Sequence, residues 1–390
     1  MTEITHPKVA ITQMSIIPGG RLRVIIGIVK LFNQMGITPH ILTTRFDLTA
    51  EQLVQKYGHS LQVKIRFLPR IPKLTGEFRR VLFNAMLNWY ASDYDLLVNS
   101  SNSLIFLPKH KKVVSYVHFP RKRRIMDAAH SIHLPDANYH HRSGDDMRRA
   151  VLRFIYRFSK PQPHHLIVCN SEFTMKSLQE VYTLPETPQV VYPPVETARF
   201  LPDGTRIRIP AVVSVGRFSS SKRQLEQIQL AEQMPQIPFH IVGFAGNNPY
   251  YQQCSQYVKK RRLKNVHLHP DAPFDEMLSL LHGSRYFLHT LINEPFGITA
   301  VQAVAAGCLP IVHNSGGQRE VVPDSALRYD SLSQVPAILN KLEGMSDAGR
   351  LALAKRLQEH AANFDDAVFA QRMQVILNDY LGTRSKETIL

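Results

Sequence analysis

The strongest constraint on this 390-residue chain is an alternation that runs, stops and starts again. Short, nearly continuous apolar runs at 9–13, 39–44, 61–67, 96–99, 113–118, 166–169 and 190–192 read as strands. Between several of them, at 22–35, 78–91, 147–159 and 171–181, apolar residues recur at helical spacing. A strand buried on both faces shows no polar alternation, and crossover helices cover both faces of a parallel sheet. Pro193-Pro194 and Leu201-Pro-Asp-Gly-Thr205 then interrupt the pattern with turn chemistry. It resumes with strands at 211–215, 239–242, 266–268 and 286–290 and helices at 224–233, 250–262, 274–281, 298–306, 332–343, 346–361 and 364–380. The expected fold class is α/β, with two doubly wound, Rossmann-like domains spanning 1–200 and 205–363. Such sheets bind ligands outside the carboxyl ends of their strands, so both domains are expected to turn those loops toward a shared cleft.

Charge narrows the choice of partner. Lys and Arg outnumber Asp and Glu 47 to 31, a formal charge of +16, which points to nucleic acid, an anionic membrane surface or phosphorylated ligands. No aromatic RNA-binding motif or helix-turn-helix signature accompanies that charge, so a nucleic-acid partner is not expected. The three cysteines, Cys169, Cys254 and Cys308, are scattered without a C-x-x-C pair. They suit neither a disulfide framework nor a zinc site and fit a reducing compartment. The first residues lack the apolar core of a signal peptide, and no run reaches the roughly 18 apolar residues of a membrane span. The expected location is the cytoplasm, in solution or peripheral on the cytoplasmic face of a membrane.

Chemistry is concentrated in the loops at strand ends. The richest stretch, 288–317, passes from a strand through Asn293-Glu-Pro-Phe-Gly297 into a helix of small residues, then through Gly307-Cys-Leu-Pro-Ile-Val312 to Asn314-Ser-Gly-Gly317. A helix that opens directly after a glycine presents free N–H groups and a positive dipole end to an anion. Glu294 is electrostatically awkward beside a phosphate and is therefore expected to serve another part of the ligand. Gly216-Arg-Phe-Ser-Ser-Ser-Lys222 follows another strand, and Arg217 and Lys222 can converge on one diphosphate, the first as a bidentate fork and the second as a compact charge. A solvated basic loop reads the same residues. Pro18-Gly19-Gly20-Arg21 leads into the first helix, where two glycines permit close approach of backbone to phosphate or sugar; a tight turn explains them equally well.

The order of these pieces, a Gly-Gly loop, Val-Gly-Arg…Lys, Glu-Pro-Phe-Gly with a polar residue eight positions on, and Gly-x-Pro-Ile-Val, resembles the family 4 glycosyltransferases. That resemblance implies the GT-B fold, a retaining reaction with a nucleotide-sugar donor, no divalent metal cofactor, and a last helix, 364–390, that crosses back onto the first domain. Tyr116-Val-His-Phe-Pro120 and His313-Asn-Ser315 look most like the GDP-mannose-dependent α-1,2-mannosyltransferases of lipid-linked oligosaccharide assembly, which implies GDP-mannose as donor and a glycan or lipid-linked acceptor. By resemblance Glu294 contacts the donor sugar and steadies the transition state. Arg217 and Lys222 clamp the diphosphate, joined by the backbone at Gly297, Ile298 and Thr299 and by Gly19 and Gly20. His118 lies near the sugar hydroxyls. Gln302 stands where the family carries a second acid that holds the ribose. Its amide can still accept a hydroxyl proton, without charge assistance.

The basic segment from Arg121 to Arg157 is read from its residues. Arg121, Lys122, Arg123 and Arg124 follow His118 directly and are candidates to grip an anionic acceptor or a membrane. Around 147–158, Val151, Phe154, Ile155 and Phe158 form one helical face flanked by Arg149, Arg153 and Arg157. Such a helix either packs that face on its own sheet or lays it on an anionic membrane. His130, His133, His140 and His141 have no metal-ligand spacing, so no metal site is expected. A UDP-sugar-dependent transferase of the same fold, a non-catalytic nucleotide-sugar-binding protein and an epimerase on a related fold remain as alternatives.

Overall fold

The computed structural model describes residues 7–17, 19–48, 61–71, 76–109, 111–126, 145–157, 159–202 and 207–382, with backbone only at 124–126, 145, 146, 148 and 149. The chain divides into two compact units. The first combines Met1–His130, His141–Pro194 and Asp366–Leu390, and the second combines Ser131–His140 and Val195–Asp365.

The first unit is built on a parallel sheet of seven strands. These are β1 (Val9–Thr12), β3 (His40–Thr43), β5 (Lys64–Phe67), β6 (Leu96–Asn99), β7 (Lys112–Val117), β8 (Leu166–Cys169) and β9 (Gln189–Val190), in the order β5-β3-β1-β6-β7-β8-β9. Two short strands that the sequence pattern does not reveal, β2 (Ser15–Ile16) and β4 (Arg45–Phe46), pair separately. Strands such as Val9–Thr12 and Leu96–Asn99 are buried at every position, as expected where helices cover both faces. The helices are α1 (Gly20–Gln34), α2 (Gly76–Tyr90), α3 (Arg121–Met126), α4 (Asp145–Arg157) and α5 (Glu172–Gln179). The chain order reverses about β1, which lies between β3 and β6, so the loops after β1 and β6 flank a crevice at the switch point.

The last helix of the chain belongs to this unit. Phe369, Met373, Ile376 and Leu377 share one core with Leu22, Val29 and Phe32 of α1. A Cβ at Gly27 of α1 would come within 2.9 Å of both the Phe369 ring and the Pro194 ring. That glycine is what lets the helices cross so closely.

The second unit holds a six-stranded parallel sheet, β10 (Ile209–Val215), β11 (Phe239–Gly243), β12 (Val266–Pro270), β13 (Ser284–His289), β14 (Leu309–His313) and β15 (Arg328–Tyr329), in the order β12-β11-β10-β13-β14-β15. Its helices are α6 (Gln224–Glu232), α7 (Pro249–Arg261), α8 (Phe274–Gly283), α9 (Ile298–Ala305), α10 (Gln318–Val321), α11 (Val335–Glu343) and α12 (Asp347–Ala361), and α13 (Asp366–Leu381) is the helix that returns to the first unit. Here the order reverses between β10 and β13. The Gly216–Lys222 loop and the loop bearing Glu294 therefore leave adjacent strands at the switch point.

Candidate active site

In the second unit the close approach of the loops rests on missing side chains. A Cβ at Gly243 would collide with the carbonyl oxygen of Gly216, at the exits of β11 and β10. The Gly216 N–H donates to Val242 O at 2.9 Å, which fixes where the next loop begins. Gln224 accepts from Ser219 N at 3.3 Å and donates to Arg217 O at 3.0 Å, bracing that loop from the start of α6. Lys222 is tied to the end of β13, because Thr290 Oγ1 donates to its carbonyl at 2.6 Å and Gln227 Nε2 donates to the same hydroxyl at 2.5 Å.

Lys222 turns back into the site rather than out to solvent, with Nζ 2.6 Å from Glu294 Oε2. The side chains of Lys222 and Glu294 are 26% and 16% exposed. His289, buried at the end of β13, places Nε2 3.4 Å from the same carboxylate oxygen, longer than a good hydrogen bond. Neither ring nitrogen of His289 has a hydrogen-bond partner among the described residues. Burial alone would raise the Glu294 carboxyl; the Lys222 charge and the His289 ring outweigh it and hold the carboxyl well below the usual range. Burial, then the Lys222 charge, lowers His289 below its ordinary value against the pull of Glu294. The result is a carboxylate, an ammonium and a neutral imidazole on one spot.

The Glu294 loop is clasped by the chain that follows β14. Ser315 Oγ accepts from Asn293 N at 2.8 Å and lies 2.7 Å from His313 Nδ1. Gly317 N donates to Glu294 O at 2.8 Å. The Gln318 amide, fully buried, donates to Leu291 O at 3.1 Å and His313 O at 2.9 Å. A Cβ at Gly316 or Gly317 would run into the backbone of 293–296, and Gly316 also holds φ +69°. Gly297 caps α9 at φ +108°, in the left-handed region that favours glycine, so that Ile298 and Thr299 open the helix right after Glu294. Gln302 lies on that helix at 5% exposure, and the Arg217 side chain is exposed at the rim of the Gly216 loop.

The first unit assembles a second group at its own switch point. Asn102, after β6, accepts through Oδ1 from the N–H groups of His118 at 3.0 Å and Phe119 at 3.4 Å. His118 Nε2 lies 3.4 Å from Ser100 Oγ, and the His118 carbonyl accepts from Thr174 Oγ1 at 3.2 Å. Burial first, and the Arg21 charge second, push the His118 imidazole down to about 3. Arg21 stands at the start of α1, directly after Gly19 and Gly20, so the Gly-Gly loop and His118 belong to one locality. Gly19 holds φ +145° with open space where a Cβ would be.

The basic run after His118 is used internally. It forms α3, and Arg121 pairs with the buried Glu77 of α2. Lys122 lies over the Tyr182 ring at 4.7 Å, and Arg123 pairs with Glu180. The Arg124 side chain, like His130, His133, His140 and His141, lies outside the described residues. Among the described residues no group of three or more histidines, cysteines or acids is arranged to hold a metal, and no helix is long and apolar enough to cross a membrane.

Sequence reasoning missed His289, Ser315, Gln318, Asn102 and Arg21. His289 had a signal, a histidine ending an apolar strand five residues before Glu294; Ser315, Gln318 and Asn102 act through backbone contacts that no spacing reveals, and Arg21 through its charge on His118.

The model of Glycosyltransferase Family 4 matches residues 18–199, and that of Glycosyl transferases group 1 matches 208–331. The chain is 25% identical over 344 residues to the GDP-Man:Man(3)GlcNAc(2)-PP-Dol alpha-1,2-mannosyltransferase of Xenopus tropicalis, covering 79% of this chain and 69% of that protein. It is 27% identical over 230 residues to the Homo sapiens protein of the same description, covering 52% of this chain and 46% of that protein. The solved structure of Anabaena Alr3699/HepE in complex with UDP-glucose superposes with a TM-score of 0.69 at 20% identity, covering 96% of this chain and 100% of that one, a likeness of fold. The chain belongs to the family 4 glycosyltransferases and is a glycosyltransferase of the GT-B fold.

Proposed function

We propose that this enzyme transfers mannose from GDP-mannose to a hydroxyl of a glycan or lipid-linked acceptor, with retention of anomeric configuration and without a divalent metal. The observation that carries the reading is the Lys222–Glu294 pair at the opening of α9. When a donor arrives, its diphosphate takes over Lys222, shares Arg217 and meets the N–H groups of Gly297, Ile298 and Thr299. Glu294 is then released to the sugar hydroxyls, beside a neutral His289. Two cations, Lys222 and Arg217, and a helix N-terminus supply the charge that the leaving diphosphate needs. Gln302 reaches the ribose, and by the family resemblance His118 serves the sugar hydroxyls and Gly19 and Gly20 the diphosphate. With no general base assigned, the leaving phosphate oxygen takes the acceptor proton on the face from which it departs.

The description of the curated relatives as mannosyltransferases favours GDP-mannose. The Anabaena structure, solved with UDP-glucose, motivates the second reading, a UDP-sugar donor in the same site. A thermal-shift panel of GDP-mannose, UDP-glucose, UDP-N-acetylglucosamine, GDP and UDP separates them, since a ligand that binds the native state raises its melting temperature. GDP-mannose and GDP are expected to give the largest shifts. UDP-glucose alone shifting the transition selects the second reading, and no shift with any of them contradicts both.

A further inference from the structure

Two acceptors face His289, and a neutral ring has one proton to give. Its Nε2 lies 3.4 Å from Glu294 Oε2, and the residue is 4% exposed, with neither ring nitrogen hydrogen-bonded among the described residues. The amide oxygen of Gln318, on α10, is also buried without a partner, and the Gln318 side chain is one of the groups that favour a proton on this ring. Gln318 Nε2 donates to Leu291 O and His313 O, which fixes the other end of the amide as the acceptor. A carboxylate and an amide oxygen only accept, and a neutral imidazole has a single N–H where an imidazolium has two. The hydrogen-bonding chemistry around His289 therefore suits an imidazolium.

Burial first, and the Lys222 ammonium second, keep that extra proton away. The other titratable neighbours are engaged elsewhere. Tyr329 of β15, its phenol pushed well up by burial, donates to the His289 carbonyl at 3.0 Å, and His313 of β14 sets Nδ1 2.7 Å from Ser315 Oγ. Lys222 and Glu294 are the charges that bear on the ring.

We propose that His289 is a positioning residue for the transfer reaction, taking a proton from solvent when the donor binds and replacing Lys222 as the partner of Glu294. The inference rests on the donor reading above, in which the diphosphate claims Lys222. The imidazole is neutral when the donor arrives. Once phosphate charge matches the ammonium, the opposition to a second proton falls. Glu294 would otherwise be left buried without a cation, a costly state. The imidazolium supplies that cation, holds Oε2 and leaves the other carboxylate oxygen to the sugar hydroxyls.

Calorimetry in two buffers of different ionisation enthalpy counts the protons that accompany binding. GDP-mannose without acceptor is the probe, because its diphosphate, unlike the terminal phosphate of GDP, has no group titrating near pH 7. The wild type is expected to take up about half a proton or more at pH 7, and its affinity to fall from pH 7 to pH 8.5, by at most about tenfold per unit. His289→Gln keeps a polar side chain that does not titrate. It is expected to bind GDP-mannose with no uptake and no such pH dependence, and to lose about 10-fold or more in kcat because Glu294 is no longer held in place. The same uptake is expected with UDP-glucose where that is the sugar nucleotide that binds, since the diphosphate is what moves Lys222. Binding of either one to the wild type without proton uptake overturns the inference, leaves the donor reading intact and needs no variant. Uptake that persists in His289→Gln also overturns it, by placing the proton on another group. Binding of neither contradicts the donor reading, and the inference falls with it.

Discussion

Lys222 Nζ lies 2.6 Å from Glu294 Oε2, joining the loop after β10 to the loop after β13 through one mostly buried ion pair. The pair shows how a carboxylate can sit beside the opening of α9, with its charge balanced by the Lys222 ammonium. On the proposed reading, a donor diphosphate takes that ammonium over. Buried pairs contribute little net stability but cost a great deal to break on one side.

Removing the cation alone should show that asymmetry. Lys222→Met is expected to lower stability by about 3 kcal/mol or more, because Glu294 is left buried without its cation. The depressed Glu294 carboxyl contributes stability that is fully present above its ordinary value of 4.5 and is lost as pH falls through the lower, folded value. The gap in melting temperature between wild type and variant should therefore be widest near pH 7 and narrow steadily below pH 4.5. A gap that is constant with pH would mean the pair is not the cause.

The buried imidazoles give the opposite handle. His118 is pushed down to about 3, and His165 and His240 each to about 4, in every case first by burial. Each takes up a proton on unfolding as pH falls below its ordinary value of 6.5, so the folded state should lose stability between pH 6.5 and pH 4. With His118 neutral throughout, kcat/KM should carry no acidic limb from this residue above pH 5. A limb centred near pH 6.5 that disappears in His118→Asn would contradict the burial described here.

Much of the site was legible in the sequence. Strand–helix alternation marked both sheets, and Glu294, Lys222 and the glycine before α9 stood out because strand ends are where such folds place chemistry. Rotation of a helix about its own axis was not legible: Val151 and Leu152 are both apolar neighbours in α4, and tertiary packing alone chose Leu152 for the interior. The fate of Arg121 was likewise hidden, since its partner Glu77 is distant in sequence and buried at 6% exposure. Charge runs give the number of cations, and only the fold gives their partners.

The clasp around Glu294 makes a steric prediction. Gly316→Ala and Gly317→Ala each push a methyl group into the backbone of 293–296. Gly316→Ala adds the strain of a left-handed residue, of order 1–3 kcal/mol. Both should cut kcat/KM by about 100-fold or more, while Gly283→Ala, with open space around it, should leave activity unchanged. Near-normal activity in both clasp variants would show that the loop position is not what the reaction needs.

Gln302 offers a gain-of-function test. Restoring a carboxylate with Gln302→Glu strengthens a ribose hydrogen bond by charge assistance, of order 1 kcal/mol. Calorimetry should find GDP bound about fivefold more tightly. Weaker or unchanged binding would place the ribose elsewhere.

The central claim is that Glu294 acts on the donor sugar in the transition state, and Glu294→Ala tests it most directly. With GDP-mannose and a mannose-terminated pyrophosphate-lipid acceptor, the variant should lose at least 100-fold in kcat while binding GDP as the wild type does, because the lost contact is to the sugar and not to the nucleotide. A loss of less than about 10-fold, with GDP affinity retained, would contradict the account.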